Sequence, residues 1–264
     1  MKTSTFFLFL IFSCWSTAMA ITPPVDQSVA DSVAINQSFY QFKPKQLIVP
    51  SSLILAGSIG LMTNNENWLD HRIQQKVVNE WNTPFKSYSV DNYLLAVPAL
   101  SVYGLNLIGI KGKHQFMDRT LILGISTVAS LGFVTILKPL TSNMRPDDTT
   151  YDSWPSGHTT LAFAGAEFMR MEFKERSPWY GIAAYGVATS VGVLRVYNNR
   201  HWITDVVAGA GFGVLSTKMA YWIFPSVKRL CFNNSSSKPL SKTNVSILPS
   251  YNGGVAGFYL AATF

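Results

Sequence analysis

The sequence predicts an all-α protein, a membrane-embedded bundle of about six helices with a short C-terminal β-hairpin-like tail, on three observations. Charged residues make up only 13% of the 264 positions against 48% hydrophobic, about half the charged share usual for a soluble domain. Six stretches without Asp, Glu, Lys or Arg recur, at 46–65, 92–110, 120–137, 153–166, 177–194 and 206–217. Small residues crowd the later ones, as in Ala162-Phe163-Ala164-Gly165-Ala166 and Ala208-Gly209-Ala210-Gly211, which lets helices approach closely.

Taken in order, residues 1–20 read as an export signal: Lys2, an apolar run from Thr5 to Trp15, then Ala18-Met19-Ala20 as a small-residue cleavage site. Ser13-Cys14 offers a lipoprotein site instead, with a poorer fit at Phe12. Cleavage after Ala20 leaves Cys231 as the only cysteine, so neither an intrachain disulfide nor a cysteine metal cluster is expected. Residues 21–45 form an irregular lead-in, with Pro23-Pro24 and scattered Ser and Gln.

The helical domain is expected over 46–229. Its first three stretches and the fifth run 18 to 20 residues, about the length that crosses hydrocarbon. The other two are shorter, and suit either buried helices or membrane helices with wet ends. The polar connection 63–91 has room for a short helix from Trp68 to Trp81. Residues 230–264 hold an Asn-, Ser- and Lys-rich linker, then a hairpin pattern from Val245 to Phe264 around Asn252-Gly253-Gly254. One hairpin cannot close a barrel, so packing against the helical domain is its expected role.

Net charge is +7, and no acidic residue follows Asp205 while Lys218, Lys228, Arg229, Lys238 and Lys242 remain. That tail suits an anionic membrane surface or substrate, or simply a solvated end that obeys the positive-inside rule. Nucleic acid is not an expected partner, because no recognition-helix pattern accompanies the export signal.

Three clusters carry chemistry. In the first, Lys138 closes a long apolar stretch and Arg145-Pro146 lie in the loop beyond; alone, two such cations mark a membrane boundary. The second is Trp154-Pro155-Ser156-Gly157-His158. Amides and a hydroxyl at a helix start make an anion site, and a histidine moves protons near neutral pH; a capped helix with an incidental histidine is the alternative. The third runs from Arg195 through Arg200 and His201 to Asp205. Four residues apart on a helix, His201 and Asp205 share a face, so the carboxylate can hold the ring; a stabilising ion pair is the alternative. Together the clusters supply what phosphoryl transfer needs: cations and amides for the oxygens, a nucleophile and an acid. Asp147-Asp148 read as loop acids rather than a magnesium site, and His158 with His201 lack a third ligand for zinc.

The pattern resembles the type-2 phosphatidic acid phosphatase superfamily, whose signature is Lys, six residues, Arg-Pro; then Pro-Ser-Gly-His; then Ser-Arg, five residues, His, three residues, Asp. Lys138, Arg145 and Pro146 match the first part, Pro155, Ser156, Gly157 and His158 the second, and Arg195, His201 and Asp205 the third. Leu194 departs from the family serine, which removes one expected phosphate contact. The likeness covers roughly residues 46–226. It implies an all-helical fold, a phosphohistidine on His201 with Asp205 as its orienter, and His158 as acid and then base. Lys138, Arg145, Arg195, Ser156 and the Gly157 amide would bind phosphate, with no cofactor and no metal.

A site among apolar helices suits a phosphorylated lipid of the bacterial envelope. The resemblance points first to lipid A, and otherwise to undecaprenyl diphosphate or phosphatidylglycerophosphate. A non-specific acid phosphatase, a vanadate haloperoxidase and a non-catalytic lipid-phosphate binder are the remaining readings; a buttressed nucleophile speaks against the binder. Six spans would set seven Lys and Arg on the catalytic side against thirteen on the other. The positive-inside rule then places the site on the periplasmic face of the inner membrane. Signal cleavage followed by six full crossings gives the opposite, unless the first stretch does not span. Periplasmic or outer-membrane association after cleavage is the alternative.

Overall fold

The computed structural model describes residues 43–63, 68–80 and 89–232, and the backbone of 244–252 and 255–263. The expected signal segment, the lead-in up to residue 42 and the linker at 233–243 lie outside the described residues.

A 3₁₀ turn at Pro44–Leu47 leads into α1 (Ile48–Gly57) and the single turn α2 (Ile59–Met62). The break falls at Ser58, whose hydroxyl donates to the Ile54 carbonyl at 2.8 Å. The short helix in the polar connection is α3 (Trp68–Glu80). The stretch expected as one helix at 92–110 is two, α4 (Val90–Leu94) and α5 (Val97–Leu107), parted by a turn at 95–96. Pro98 lies in the first turn of α5, where a residue without an N–H leaves no helical bond unmade.

Four longer helices follow: α6 (Phe116–Thr141), α7 (Gly157–Phe173), α8 (Pro178–Tyr197) and α9 (Ile203–Phe232). Each outruns its charge-free stretch, because a helix ends where its capping chemistry ends it and not at the first charge. Ser142, in the left-handed region at φ 44°, stops α6. Pro178 at the first position and the Ser177 hydroxyl, which accepts from the Trp179 amide at 3.3 Å, start α8. The tail holds two antiparallel strands, β1 (Asn244–Asn252) and β2 (Val255–Thr263), with Asn252 paired to Val255; the expected turn residues Gly253 and Gly254 lie outside the described residues.

Helices α7 and α9 form the centre. α9 lies along α1, α6 and α7, while α7 also meets α5 and α8. Small residues set this closeness: Ala162, Ala166, Ala188, Ala208 and Ala220 are fully buried. Large apolar side chains face outward instead, with Val128 72%, Ile136 62% and Trp179 72% exposed. Polar groups turn in and pair, as where the Ser126 and Thr217 hydroxyls meet at 2.7 Å. An apolar exterior around a small-residue, partly polar interior is the pattern of a protein in lipid. Among the described residues, three helical stretches are long and apolar enough to cross: Pro44–Met62, Phe116–Thr141 and Ile203–Leu230. The 26 residues of α6 make a rod of about 39 Å.

Toward the C-terminal end of α7, buried Glu172 ties loop to bundle. It accepts from His114 Nδ1 at 2.6 Å and Tyr221 at 2.7 Å, and faces Arg119 at 3.4 Å. One turn earlier, Glu167 accepts from Arg170 at 2.6 Å and from Lys218 at 2.7 Å. Both acids have the partners that a buried charge requires.

Candidate active site

The three sequence clusters meet at the opposite end of α7. The fixing contact is between helix starts: the Ser156 amide donates to the Asp205 carbonyl at 3.1 Å. A Cβ on Gly209 would stand 2.7 Å from the Ser156 carbonyl oxygen, so only glycine lets α9 come this near the start of α7. The loop after α6 is laid over both. The Ser153 amide donates to the Asn143 carbonyl at 2.9 Å, and Trp202 Nε1 to the Met144 carbonyl at 2.8 Å.

His201 and Asp205 are close, but not as two residues on one helical face. α9 begins at Ile203, and His201 stands in the bend before it. The reason is a cap: Asp205 Oδ2 accepts the Trp202 amide at 2.9 Å, the reach-back half of a capping box. Asp70 of α3 adds to it, accepting from the Thr204 amide at 3.2 Å and the Thr204 hydroxyl at 2.8 Å. His201 Nδ1 lies 3.5 Å from Asp205 Oδ2 and 3.5 Å from Ser153 Oγ, which itself donates to Asp205. Such catalytic hydrogen bonds are commonly long until substrate arrives. With Nδ1 toward the carboxylate, Nε2 is the ring nitrogen turned away from it. His201 is only 2% exposed. Burial foremost, and then Arg195 and Lys138, lower its pKa from the ordinary imidazole value, while Asp205 pulls it back up.

Each cation of the inventory has a carboxylate partner. Arg145 grips Asp152 with Nε at 2.9 Å and a second nitrogen at 3.1 Å, and Lys138 reaches the same carboxylate at 3.3 Å. Burial pushes the Asp152 carboxyl up, but the Thr150 hydroxyl and the two cations outweigh it and hold it at about 2. Arg195 pairs with buried Asp91 at 2.6 Å, and Arg200 with Asp147 at 3.1 Å. Ser156 is buried and its hydroxyl is engaged with Thr159 at 3.0 Å, whereas Gly157 opens α7 as expected. His158 Nε2 lies 2.6 Å from Asn92 Oδ1.

The structure therefore brings together Lys138, Arg145, Ser156, Gly157, His158, Arg195, His201 and Asp205, and adds residues that sequence reasoning missed. Ser153 and Asp152 directly precede the second cluster, so adjacency was their one signal. Asp91 and Asn92 had none, as they come from a separate short helix. Among the described residues no three His, Cys, Asp or Glu side chains group as a metal site.

The family model of the PAP2 superfamily matches residues 119–229. The chain is 32% identical over 206 residues to a lipid A 1-phosphatase of Porphyromonas gingivalis, which covers 74% of this chain and 45% of that protein. It is 33% identical over 101 residues to the bacitracin transport permease protein BcrC of Bacillus licheniformis, covering 38% of this chain and 46% of that one. The chain thus spans about half the length of the curated relatives it matches. A crystal structure of a transmembrane PAP2-type phosphatidylglycerolphosphate phosphatase from Bacillus subtilis is similar at a TM-score of 0.49 and 25% identity, over 69% of this chain and 98% of that one. All three signature clusters lie inside the matched segment, and the chain belongs to the PAP2 superfamily.

Proposed function

We propose that the protein is a lipid phosphatase of the bacterial envelope that works through a phosphohistidine on His201. The observation that carries this is the convergence of a carboxylate-held, buried histidine with Lys138, Arg145 and Arg195 at one end of an apolar bundle. The cations would neutralise the phosphate oxygens. The His201 Nε2 lone pair forms a bond to phosphorus as the ester P–O bond breaks, and the leaving oxygen takes a proton from His158. His158 then takes a proton from water, whose oxygen bonds to phosphorus while the N–P electrons return to His201. Asp205 steadies the charged ring throughout. No step in this sequence calls for a metal.

The substrate we favour is lipid A. A site at the end of outward-apolar helices suits a phosphate anchored in a membrane, and the Porphyromonas gingivalis relative bears the name lipid A 1-phosphatase. The excess of Lys and Arg on the far side favours a site facing the periplasm. The test is phosphate release by the purified full chain in detergent with EDTA, against lipid A, undecaprenyl diphosphate and p-nitrophenyl phosphate. Release from lipid A that His201→Ala abolishes is expected. Release that persists in His201→Ala contradicts the mechanism, and preference for undecaprenyl diphosphate contradicts the substrate.

A further inference from the structure

Helix α4 is five residues long, lies outside the segment matched by the family model, and still touches two of the three clusters. Asp91 holds Arg195 through a buried ion pair, and the next residue, Asn92, meets His158 at 2.6 Å. A carboxamide oxygen can only accept, so the His158 Nε2–H donates and the proton sits on that nitrogen. Asn92 is exposed, and water could satisfy its amide at no loss; pairing with His158 is not something burial forces on it. What the contact does is fix the ring at one nitrogen, as Asp205 does for the ring of His201.

We infer that Asn92 is a positioning residue for the acid–base step, orienting His158 and favouring its protonated form, so that α4 belongs to the active site. The inference rests on the phosphatase reading above. The charged groups facing His158 are Arg195 from α8, Lys138 from α6, His201 from the bend before α9 and Asp91 from α4 itself. Burial foremost, and then the repulsion of the three basic groups among these, lower the His158 pKa to about 4. A neutral acceptor oxygen on Nε2 offsets that repulsion without adding a charge that would oppose the incoming phosphate.

The experiment uses the full chain in detergent as wild type, Asn92→Ala and Asn92→Asp, with two monoesters: a long-chain alkyl phosphate and p-nitrophenyl phosphate. An alkoxide must be protonated as it leaves, whereas p-nitrophenolate leaves nearly unaided. Asn92→Ala is therefore expected to lower kcat/KM roughly 10- to 100-fold on the alkyl phosphate and only about 2-fold on the aryl ester. Asn92→Asp, of nearly the same shape, is expected to move the alkaline limb of the pH profile up by about one unit, since an adjacent carboxylate favours the imidazolium. Equal losses on both substrates with unmoved pH limbs, or no losses, overturn the inference and leave the phosphatase reading standing. No phosphate release by the wild type overturns the reading, and the inference with it.

Discussion

Two histidines of one site meet different surroundings. His201 is enclosed, with Asp205 and Ser153 at Nδ1, while half-buried His158 bonds an exposed amide. In the proposed mechanism attack requires neutral His201, so kcat/KM is expected to fall as pH drops through its pKa. Burial sets that acid limb below 6.5, and Asp205 opposes the shift. Asp205→Asn is thus expected to move the limb to still lower pH while kcat drops roughly 10²- to 10⁴-fold; a pH–rate profile of both proteins checks this, and a limb moving upward contradicts it. The matched residues were legible in the sequence because their spacings repeat a signature. Asn92 and Asp91 were not, because a partner 66 or 104 positions away leaves no local pattern, and Asp152 had only its nearness to the second cluster. The Ser156 hydroxyl, which the signature assigns to phosphate, meets the Thr159 hydroxyl at 3.0 Å.

Among the elements, apolar length announced the long helices, but their ends were set by single residues. Ser142 closes α6, Pro98 sits in the first turn of α5, and Asp205 starts α9 after His201 instead of before it. That last detail reverses the sequence argument about a shared helical face while keeping the pair in contact. Packing was legible only as composition: the Gly and Ala runs foretold close approach but not which helix approached which. Gly211 shows the consequence. A Cβ there would lie 2.7 Å from Ile54 Cγ1, 2.8 Å from the Pro50 carbonyl oxygen and 2.9 Å from the Ile54 amide of α1. Alanine improves an unpacked helix by about 1 kcal/mol over glycine, yet forcing a methyl against backbone costs about 1–3 kcal/mol. Gly211→Ala is expected to destabilise, lowering the thermal midpoint in detergent by a few degrees; an unchanged or raised midpoint contradicts the α1–α9 contact.

For the whole molecule, the arrangement is a bundle whose outer surface suits lipid and whose reactive groups collect at one end. The proposed orientation, with that end in the periplasm, follows from the count of Lys and Arg, whereas a cleaved signal and six full crossings give the opposite; the described residues offer three helical stretches long enough to cross. Thr149 is exposed in the loop that carries Arg145 and Asp152. Thr149→Cys, with Cys14 and Cys231 replaced by Ser, is expected to react with a membrane-impermeant maleimide from the periplasmic side of intact inner membranes. Labelling only after lysis reverses the orientation.

The central claim is the covalent intermediate, and trapping it is the most direct measurement. The protein is mixed with a lipid substrate carrying radiolabelled phosphate, quenched within the first turnovers in alkali, and digested. Alkali-stable, acid-labile label on the peptide containing His201 is the expected result. Phosphate release at full rate with no label on that peptide contradicts the account.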